Sequence, residues 1–144
     1  MGKKKPTELI PAVSPTYLTE SMLKNPEMRI ALPFNKEIFL LKTHIAGVMY
    51  VRGIKKMAKQ LSEGDELRLV REPKNPYDMW AIVIKNAANR KIGYIPRSRN
   101  EIIARLMDGG MRFKAVVDLV QFHAEEDMTE KYALTILVSV YMVV

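Results

Sequence analysis

Residues 37–144 carry apolar and polar side chains in an order that predicts six strands. The apolar run from Ile38 to Ala46 predicts a long first strand that ends at Gly47. Residues 66–71 alternate charged with apolar side chains, as a half-buried strand does. The remaining predicted strands span residues 80–85, 91–95, 112–123 and 131–143.

In two short stretches the apolar residues recur at the spacing of an α-helix. Gly53 opens the first helix. The positions expected to be buried in it are Ile54, Met57, Ala58 and Leu61. The second helix begins at a capping box, with Glu101 three residues after the Ser98 cap, and stops at Gly109-Gly110. The positions expected to be buried in it are Ile102, Ile103 and Leu106.

Six strands and two short helices predict a mainly β, α+β fold. Because the second helix lies between a hairpin and the last two strands, we expect a small closed or nearly closed β-barrel. Positions 1–33 hold five of the eight prolines, and their apolar residues follow neither the helical nor the strand spacing. They therefore predict an extended, partly disordered arm. The folded domain is therefore expected at 34–144, and 144 residues suit one domain.

Charge and cysteine content narrow the range of partners and sites. The net charge of +7 and the pI near 9.6 favour an anionic partner, of which nucleic acid is the commonest. The absence of cysteine excludes disulfides and thiolate metal sites and agrees with a reducing compartment. The most apolar run, Tyr132–Val144, is 13 residues, short of the ~20 that a spanning helix needs. We therefore expect a cytoplasmic protein, associated with the nucleoid if it is bacterial.

The stretch from Arg71 to Asp78 places two prolines, an amide, an aromatic ring and a carboxylate between two predicted strands. Proline fixes φ and moves the preceding residue out of the helical region, so Glu72 and Asn75 should be extended. A rigid loop on a β scaffold is a favoured place to hold binding groups.

Candidate catalytic groups are few. His44 and His123 each lie in an apolar strand without a partner at metal-ligand spacing, which favours strand histidines that are either hydrogen-bonded or exposed. A metal-dependent nuclease would need a second carboxylate on the strand after Asp78, where Val83 and Ile84 stand instead. We therefore expect no enzymatic activity, no metal and no cofactor.

Candidate binding groups are more numerous. Tyr50, Tyr77 and Tyr94 lie close to turns, each with a basic residue nearby. Aromatic faces interleaved with Lys and Arg hold single-stranded nucleic acid, although tyrosines at the edge of a core give the same pattern. Asp78 is either an acceptor for a sugar hydroxyl or base amine, or a cap for its own turn. Both alternatives stay open on the residues alone.

Four segments together resemble the HIRAN domain family: residues 45–50, 64–78, 81–82 and 92–97. The run Arg-Glu-Pro-x-Asn-Pro-Tyr-Asp is quite specific, and order and spacing agree across about positions 36–122. HIRAN domains occur as accessory modules of helicase-like DNA-repair translocases that remodel stalled replication forks, and as small stand-alone bacterial proteins. The resemblance implies an OB-like β-barrel that binds single-stranded DNA at a free 3′-hydroxyl end.

The resemblance also implies roles for single residues. Tyr50 and Tyr77 would stack on the terminal bases, and Asp78 would accept a hydrogen bond from the terminal 3′-hydroxyl. A carboxylate tolerates a hydroxyl and repels a phosphate, so the chemistry of the end would set specificity. The remaining expected DNA-binding residues are Asn75 at the terminal nucleotide, Arg97 at the phosphate backbone, Tyr94 as a pocket-lining position, and Arg71 beside Tyr77.

The expected function is a non-enzymatic module that binds single-stranded DNA 3′ ends in DNA repair or replication-fork processing, alongside repair or replication proteins. The alternative is a protein-interaction or adaptor module that keeps the fold without the DNA site. Met49 motivates this alternative, because DNA-binding members can carry an arginine there. The apolar strand Tyr132–Val144 motivates it too, because both of its faces are apolar. The strand is therefore either buried on both sides or covered by a partner, such as a second copy in a homodimer.

Overall fold

A computed structural model describes residues 36–123 and 133–144, and from Glu37 onward these belong to one compact unit. The arm predicted for positions 1–33 lies outside the described residues. The elements in chain order are β1 (Glu37–His44), a 3-10 helix (Val48–Tyr50), α1 (Ile54–Lys59), β2 (Glu66–Arg71), β3 (Ile82–Lys85), β4 (Lys91–Tyr94), α2 (Arg97–Asp108), β5 (Arg112–Phe122) and β6 (Leu134–Val143).

The strands form one antiparallel sheet in the order β1-β6-β5-β2-β3-β4. The mainly β fold with two helices, predicted from the sequence, is confirmed. β6 pairs with β1 on one side and β5 on the other, and each of its residues is buried or half-buried. Its backbone is therefore already paired on both sides, which leaves a second copy no edge of β6 on which to add a strand.

The sheet is not a closed barrel, but one contact joins its two ends. Ala46, just after β1, forms an isolated antiparallel bridge with Tyr94 at the end of β4. The Ala46 N–H donates to the Tyr94 carbonyl at 2.8 Å, and the Tyr94 N–H donates to the Ala46 carbonyl at 2.9 Å. This bridge brings the segment after β1 beside the β3–β4 hairpin.

The core lies between the curved sheet and the inner faces of the helices. α1 has the predicted inward face: Ile54, Met57 and Ala58 are buried, and Leu61 packs against them. Within the sheet, β2 buries Leu67 and Leu69 and leaves Glu66 and Arg68 exposed, as its alternating pattern predicted. The largest fully buried side chains are Leu67, Ile82, Ile84, Ile92, Ile95, Ile136, Val83, Val117, Val138 and Val140. Among the helices of the described residues, none is long and apolar enough to cross a membrane.

The predictions for α2 were wrong in two respects. The helix begins at Arg97 with Pro96 as its N-cap, and no side chain caps it, so Ser98 lies inside the first turn. Ile102 and Leu106 are 68% and 38% exposed, whereas Asn100, Ile103 and Ala104 are buried. Helical geometry puts positions 100, 103, 104 and 107 on one face, and a polar residue occupies the first of them.

Gly93 permits the close approach on which the bridge depends. A methyl group at this position would lie 2.5 Å from the Ala46 carbonyl oxygen and 2.5 Å from Ile45 Cγ2. We expect Gly93→Ala to lower the free energy of unfolding by ~1–3 kcal/mol, because the added atom forces the backbone apart. Urea denaturation measures this effect.

The matched control is Gly109→Ala, at the end of α2. Its added methyl group would lie 3.5 Å from its nearest neighbours, an ordinary contact, and its φ is −81°. If both variants lost the same stability, the close approach at Gly93 would not be the constraint that we infer.

Candidate nucleic-acid interface

A cleft of about 860 Å³ opens where the Ala46–Tyr94 bridge meets the loop between β2 and β3. Six of the seven predicted site residues line it: Tyr50, Asn75, Tyr77, Asp78, Tyr94 and Arg97. Its other lining residues are Ala46, Gly47, Ala81 and Ile95. The fold thus brings together residues from three separate segments of the chain, 46–50, 75–81 and 94–97.

One side of the cleft is the turn wall, residues 46–50. Gly47 has a φ of +72°, a left-handed conformation that glycine adopts without strain, and it starts the 3-10 helix. The Tyr50 N–H donates to the Gly47 carbonyl at 3.1 Å. The tight turn directs the Tyr50 side chain outward, where it is 86% exposed. An aromatic ring this exposed contributes little to the core and is available to a ligand.

A second side is the proline loop, residues 72–81, which is held by its own side chains. The Asn75 side-chain oxygen accepts from the backbone N–H groups of Tyr77 at 2.8 Å and Asp78 at 3.2 Å. This is the Asx arrangement typical of a fixed turn. The Tyr77 ring is 81% exposed. Because the Asn75 oxygen already accepts two hydrogen bonds within the loop, the role of Asn75 in recognising a nucleotide stays a prediction.

Asp78 caps its own turn and also lines the cleft. Its Oδ1 accepts from the Trp80 N–H at 2.9 Å, which is the capping role that the sequence left open. Its Oδ2 accepts from Asn100 Nδ2 at 2.8 Å and lies 3.8 Å from Arg97 Nε. The side chain is 16% exposed and lines the cleft. Since a carboxylate oxygen accepts two hydrogen bonds, the cap leaves capacity for a ligand hydroxyl.

Tyr94 closes the back of the cleft and is fixed by Glu72. The Tyr94 hydroxyl donates to Glu72 Oε1 at 2.9 Å, and the same oxygen accepts from Asn75 Nδ2 at 3.0 Å. Burial and the hydrogen bond to Glu72 raise the pKa of Tyr94 to about 12. One carboxylate thus fixes both the rear ring and the amide that shapes the loop.

Arg71 is the one predicted site residue that does not line the cleft. Its side chain is 12% exposed and donates to the carbonyl oxygens of Ala81 at 2.7 Å and Met79 at 3.0 Å. Its Nε donates to Asp108 Oδ1 at 2.9 Å, and this hydrogen bond lowers the pKa of Asp108. In this geometry Arg71 clamps the proline loop to the end of α2.

Two residues that hold the site were not predicted from the sequence. Glu72 orients Tyr94 and Asn75, and Asn100 positions the Asp78 carboxylate while being 2% exposed. An asparagine inside a helix costs stability relative to most residues, so its presence at a core-facing position is a signal for a required hydrogen bond.

The structure offers little for metal chemistry. Within residues 36–123 and 133–144, no group of three or more His, Cys, Asp or Glu side chains is placed to hold a metal ion. His44 is exposed, and His123 Nε2 lies within hydrogen-bonding distance of Thr135 Oγ1, at 2.9 Å.

The sequence matches the profile of the HIRAN domain over residues 38–144. The chain belongs to the HIRAN domain family. Its curated relatives include the helicase-like transcription factor of Oryctolagus cuniculus, with 26% identity over 95 residues. That match covers 66% of this chain but 9% of the relative, so this HIRAN chain corresponds to a small part of that protein.

Solved structures agree with the assignment of the fold. A protein from Lactobacillus plantarum superposes on this HIRAN domain with a TM-score of 0.61 and 27% identity, over 76% of this chain and 98% of that one. The crystal structure of the human HLTF HIRAN domain gives a TM-score of 0.54 and 21% identity, over 74% and 78%. The HLTF HIRAN domain in its DNA-bound conformation gives 0.50 and 21%, over 74% and 79%.

The raised pKa of Tyr94 predicts a pH dependence of stability. The folded protein releases this proton near pH 12 and the unfolded chain near the ordinary value of 10.0. The folded state therefore binds more protons between these values. The contribution of the Tyr94 hydroxyl to stability is complete below pH 10 and is lost as the pH rises toward 12. We expect Tyr94→Phe to flatten this fall in urea titrations between about pH 9 and 12.

Tyr77→Phe is the matched control, because it removes the hydroxyl of an exposed ring. It should reproduce the wild-type curve over the same pH range. A Tyr94→Phe curve parallel to the wild type would contradict a Tyr94–Glu72 hydrogen bond that stabilises the fold.

Proposed function

We propose that this HIRAN domain is a non-enzymatic module that binds single-stranded DNA at a free 3′-hydroxyl end. The observation that carries the proposal is one cleft in which two solvent-exposed rings, Tyr50 and Tyr77, stand with a partly buried carboxylate, Asp78. Exposed rings offer stacking surfaces for bases, and each stacked base is worth ~1–3 kcal/mol. The DNA-bound conformation of the HLTF HIRAN domain supports DNA as the ligand.

The position of Asp78 supports preference for a hydroxyl end. Its carboxylate is fixed by Trp80 and Asn100, so it cannot turn away from a ligand without breaking two hydrogen bonds. A terminal hydroxyl would donate to it, whereas a terminal phosphate would be repelled at close range. Arg97 lies 3.8 Å from the same carboxylate, is largely exposed, and would reach the phosphate on the 5′ side of the terminal sugar.

The preference for the end is tested with two fluorescent oligonucleotides that differ only in a 3′-hydroxyl or a 3′-phosphate. We expect anisotropy titrations to show at least about tenfold tighter binding of the hydroxyl end, the equivalent of ~1.4 kcal/mol. Equal affinities would remove the end-recognition proposal. Absence of binding at low salt would exclude DNA as the ligand and favour the adaptor function.

The Asp78→Asn variant tests whether this side chain causes the preference for a 3′-hydroxyl over a 3′-phosphate. The amide oxygen can still accept from the Trp80 N–H, so the loop keeps its cap while the charge is removed. We expect the hydroxyl-over-phosphate ratio to fall toward one in the same titrations. If the ratio survives in a folded Asp78→Asn variant, another group discriminates the end.

Tyr77→Ala tests stacking. Because the ring is 81% exposed, its removal should change folding stability little, while single-strand affinity should fall by ~1–3 kcal/mol. Met79→Ala is the matched control, since it removes an exposed apolar side chain from the same loop. Equal losses in both variants would argue against stacking on Tyr77.

The biological setting that we propose is DNA repair or replication-fork processing, in which free 3′ ends arise. The adaptor alternative has its own observation: Ile102 and Leu106 lie one turn apart on the outer face of α2 and are exposed. The low-salt DNA titration distinguishes the two functions, because an adaptor without a DNA site would not bind the oligonucleotide.

A further inference from the structure

Basic residues follow the turn wall without any acidic residue among them. Residues 38–62 contain no aspartate or glutamate. Four basic residues lie just beyond Tyr50 and are named here the basic segment: Arg52, Lys55, Lys56 and Lys59. The basic segment contributes +4, against a net charge of +7 for the whole chain, so it is a concentration of uncompensated positive charge beside one side of the cleft.

The fold fixes the basic segment on the surface. Ile54, Met57 and Ala58 are buried, so the helical period places the lysines of α1 on the outside, where they are exposed. Asn86 Nδ2 lies 3.8 Å from Met57 Sδ and ties α1 to the β3–β4 turn. The outward face is thus set by packing of the inward face.

Backbone hydrogen bonds connect the basic segment to the turn wall. The Val51 N–H donates to the Val48 carbonyl at 3.1 Å, and the Ile54 N–H donates to the Val51 carbonyl at 3.2 Å. The chain therefore passes from the exposed Tyr50 ring to α1 through a succession of tight turns. The turn wall and the basic segment form one continuous surface.

A DNA strand held by its end must leave the cleft on one side. A cleft of about 860 Å³ has the size of a site for a drug-sized ligand, so it holds about one or two nucleotides. The proline loop carries Glu72 and Asp78 against Lys74, and these carboxylates repel a phosphate backbone. The turn wall leads instead to the basic segment, so the charges favour an exit over Tyr50.

We propose that the basic segment is a second DNA contact, which binds the phosphates of the strand after it leaves the cleft over Tyr50. This inference rests on the proposed function, because it extends the same strand. The ligand class is the sugar-phosphate backbone, without base specificity, since lysines contact phosphates as point charges.

Oligonucleotide length separates the two sites. In titrations with 3′-hydroxyl oligonucleotides of about two and about twenty nucleotides, only the longer one reaches beyond a cleft that holds about one or two. The variant is Lys56→Gln with Lys59→Gln, which keeps good helix formers on an exposed face. We expect it to bind the short oligonucleotide like the wild type and the long one about tenfold more weakly.

Salt dependence gives an independent readout. Removing two phosphate contacts should reduce the slope of log affinity against log salt by roughly 1.4 for the long oligonucleotide, since each single-strand contact contributes ~0.7. The control is Lys42→Gln with Arg112→Gln, which removes the same charge from exposed positions in β1 and at the start of β5. It should retain the wild-type preference for length, which excludes a general effect of net charge.

Neutral backbone linkages map the contact along the strand. Methylphosphonates placed beyond the second nucleotide from the 3′ end should weaken binding to the wild type and have little effect on the lysine variant. Equal effects on both proteins would overturn the inference.

The outcomes distinguish the inference from the proposed function. If the wild type binds both lengths equally, the strand does not use the basic segment, while end binding stands. A lysine variant that keeps the wild-type preference for length also overturns the second contact and leaves end binding intact. If the wild type binds neither length, the proposed function fails and the second contact fails with it.

Discussion

Two backbone hydrogen bonds between Ala46 and Tyr94 decide whether this fold has a cleft at all. They attach the segment after β1 to the end of β4, the two strands at the outer edges of the sheet in the part of the chain that the structure describes. The approach is possible because Gly93 has no side chain where the Ala46 carbonyl lies. Without this approach, the turn that carries Tyr50 would lose its backbone attachment to the β3–β4 hairpin.

The residues that face the cleft also hold the loop in shape. Asp78 caps its own turn, Asn75 closes an Asx turn, and Glu72 accepts from both Asn75 and Tyr94. Arg71 clamps the outside of the loop to α2. A site whose groups are already fixed by such contacts loses little conformational entropy when a ligand binds. The exposed rings are the exception, and their exposure is what a stacking surface requires.

The elements were predicted well from periodicity where one face is buried, as in β2 and α1. The prediction failed in α2, where the apolar residues Ile102 and Leu106 face outward and the polar Asn100 faces inward. A prediction from the apolar pattern assumes that buried positions are apolar. It cannot anticipate a buried Asn100, because the hydrogen-bond partner, Asp78, lies 22 residues earlier in the chain. Arg71 also depends on a distant partner: proximity in sequence to Tyr77 suggested a ligand contact, whereas its guanidinium donates to Asp108, and its role in binding DNA stays a prediction.

The sequence by itself determined the strands and helices, the rigid proline loop, the basic balance and the family, because these follow from local pattern and from a specific motif. Only the tertiary structure decided which residues share a cleft, which of them serve the loop instead, and that the basic face of α1 continues from the Tyr50 turn. Those facts depend on contacts between segments far apart in the chain. Periodicity reports which face of an element is buried and carries no information on which segments meet.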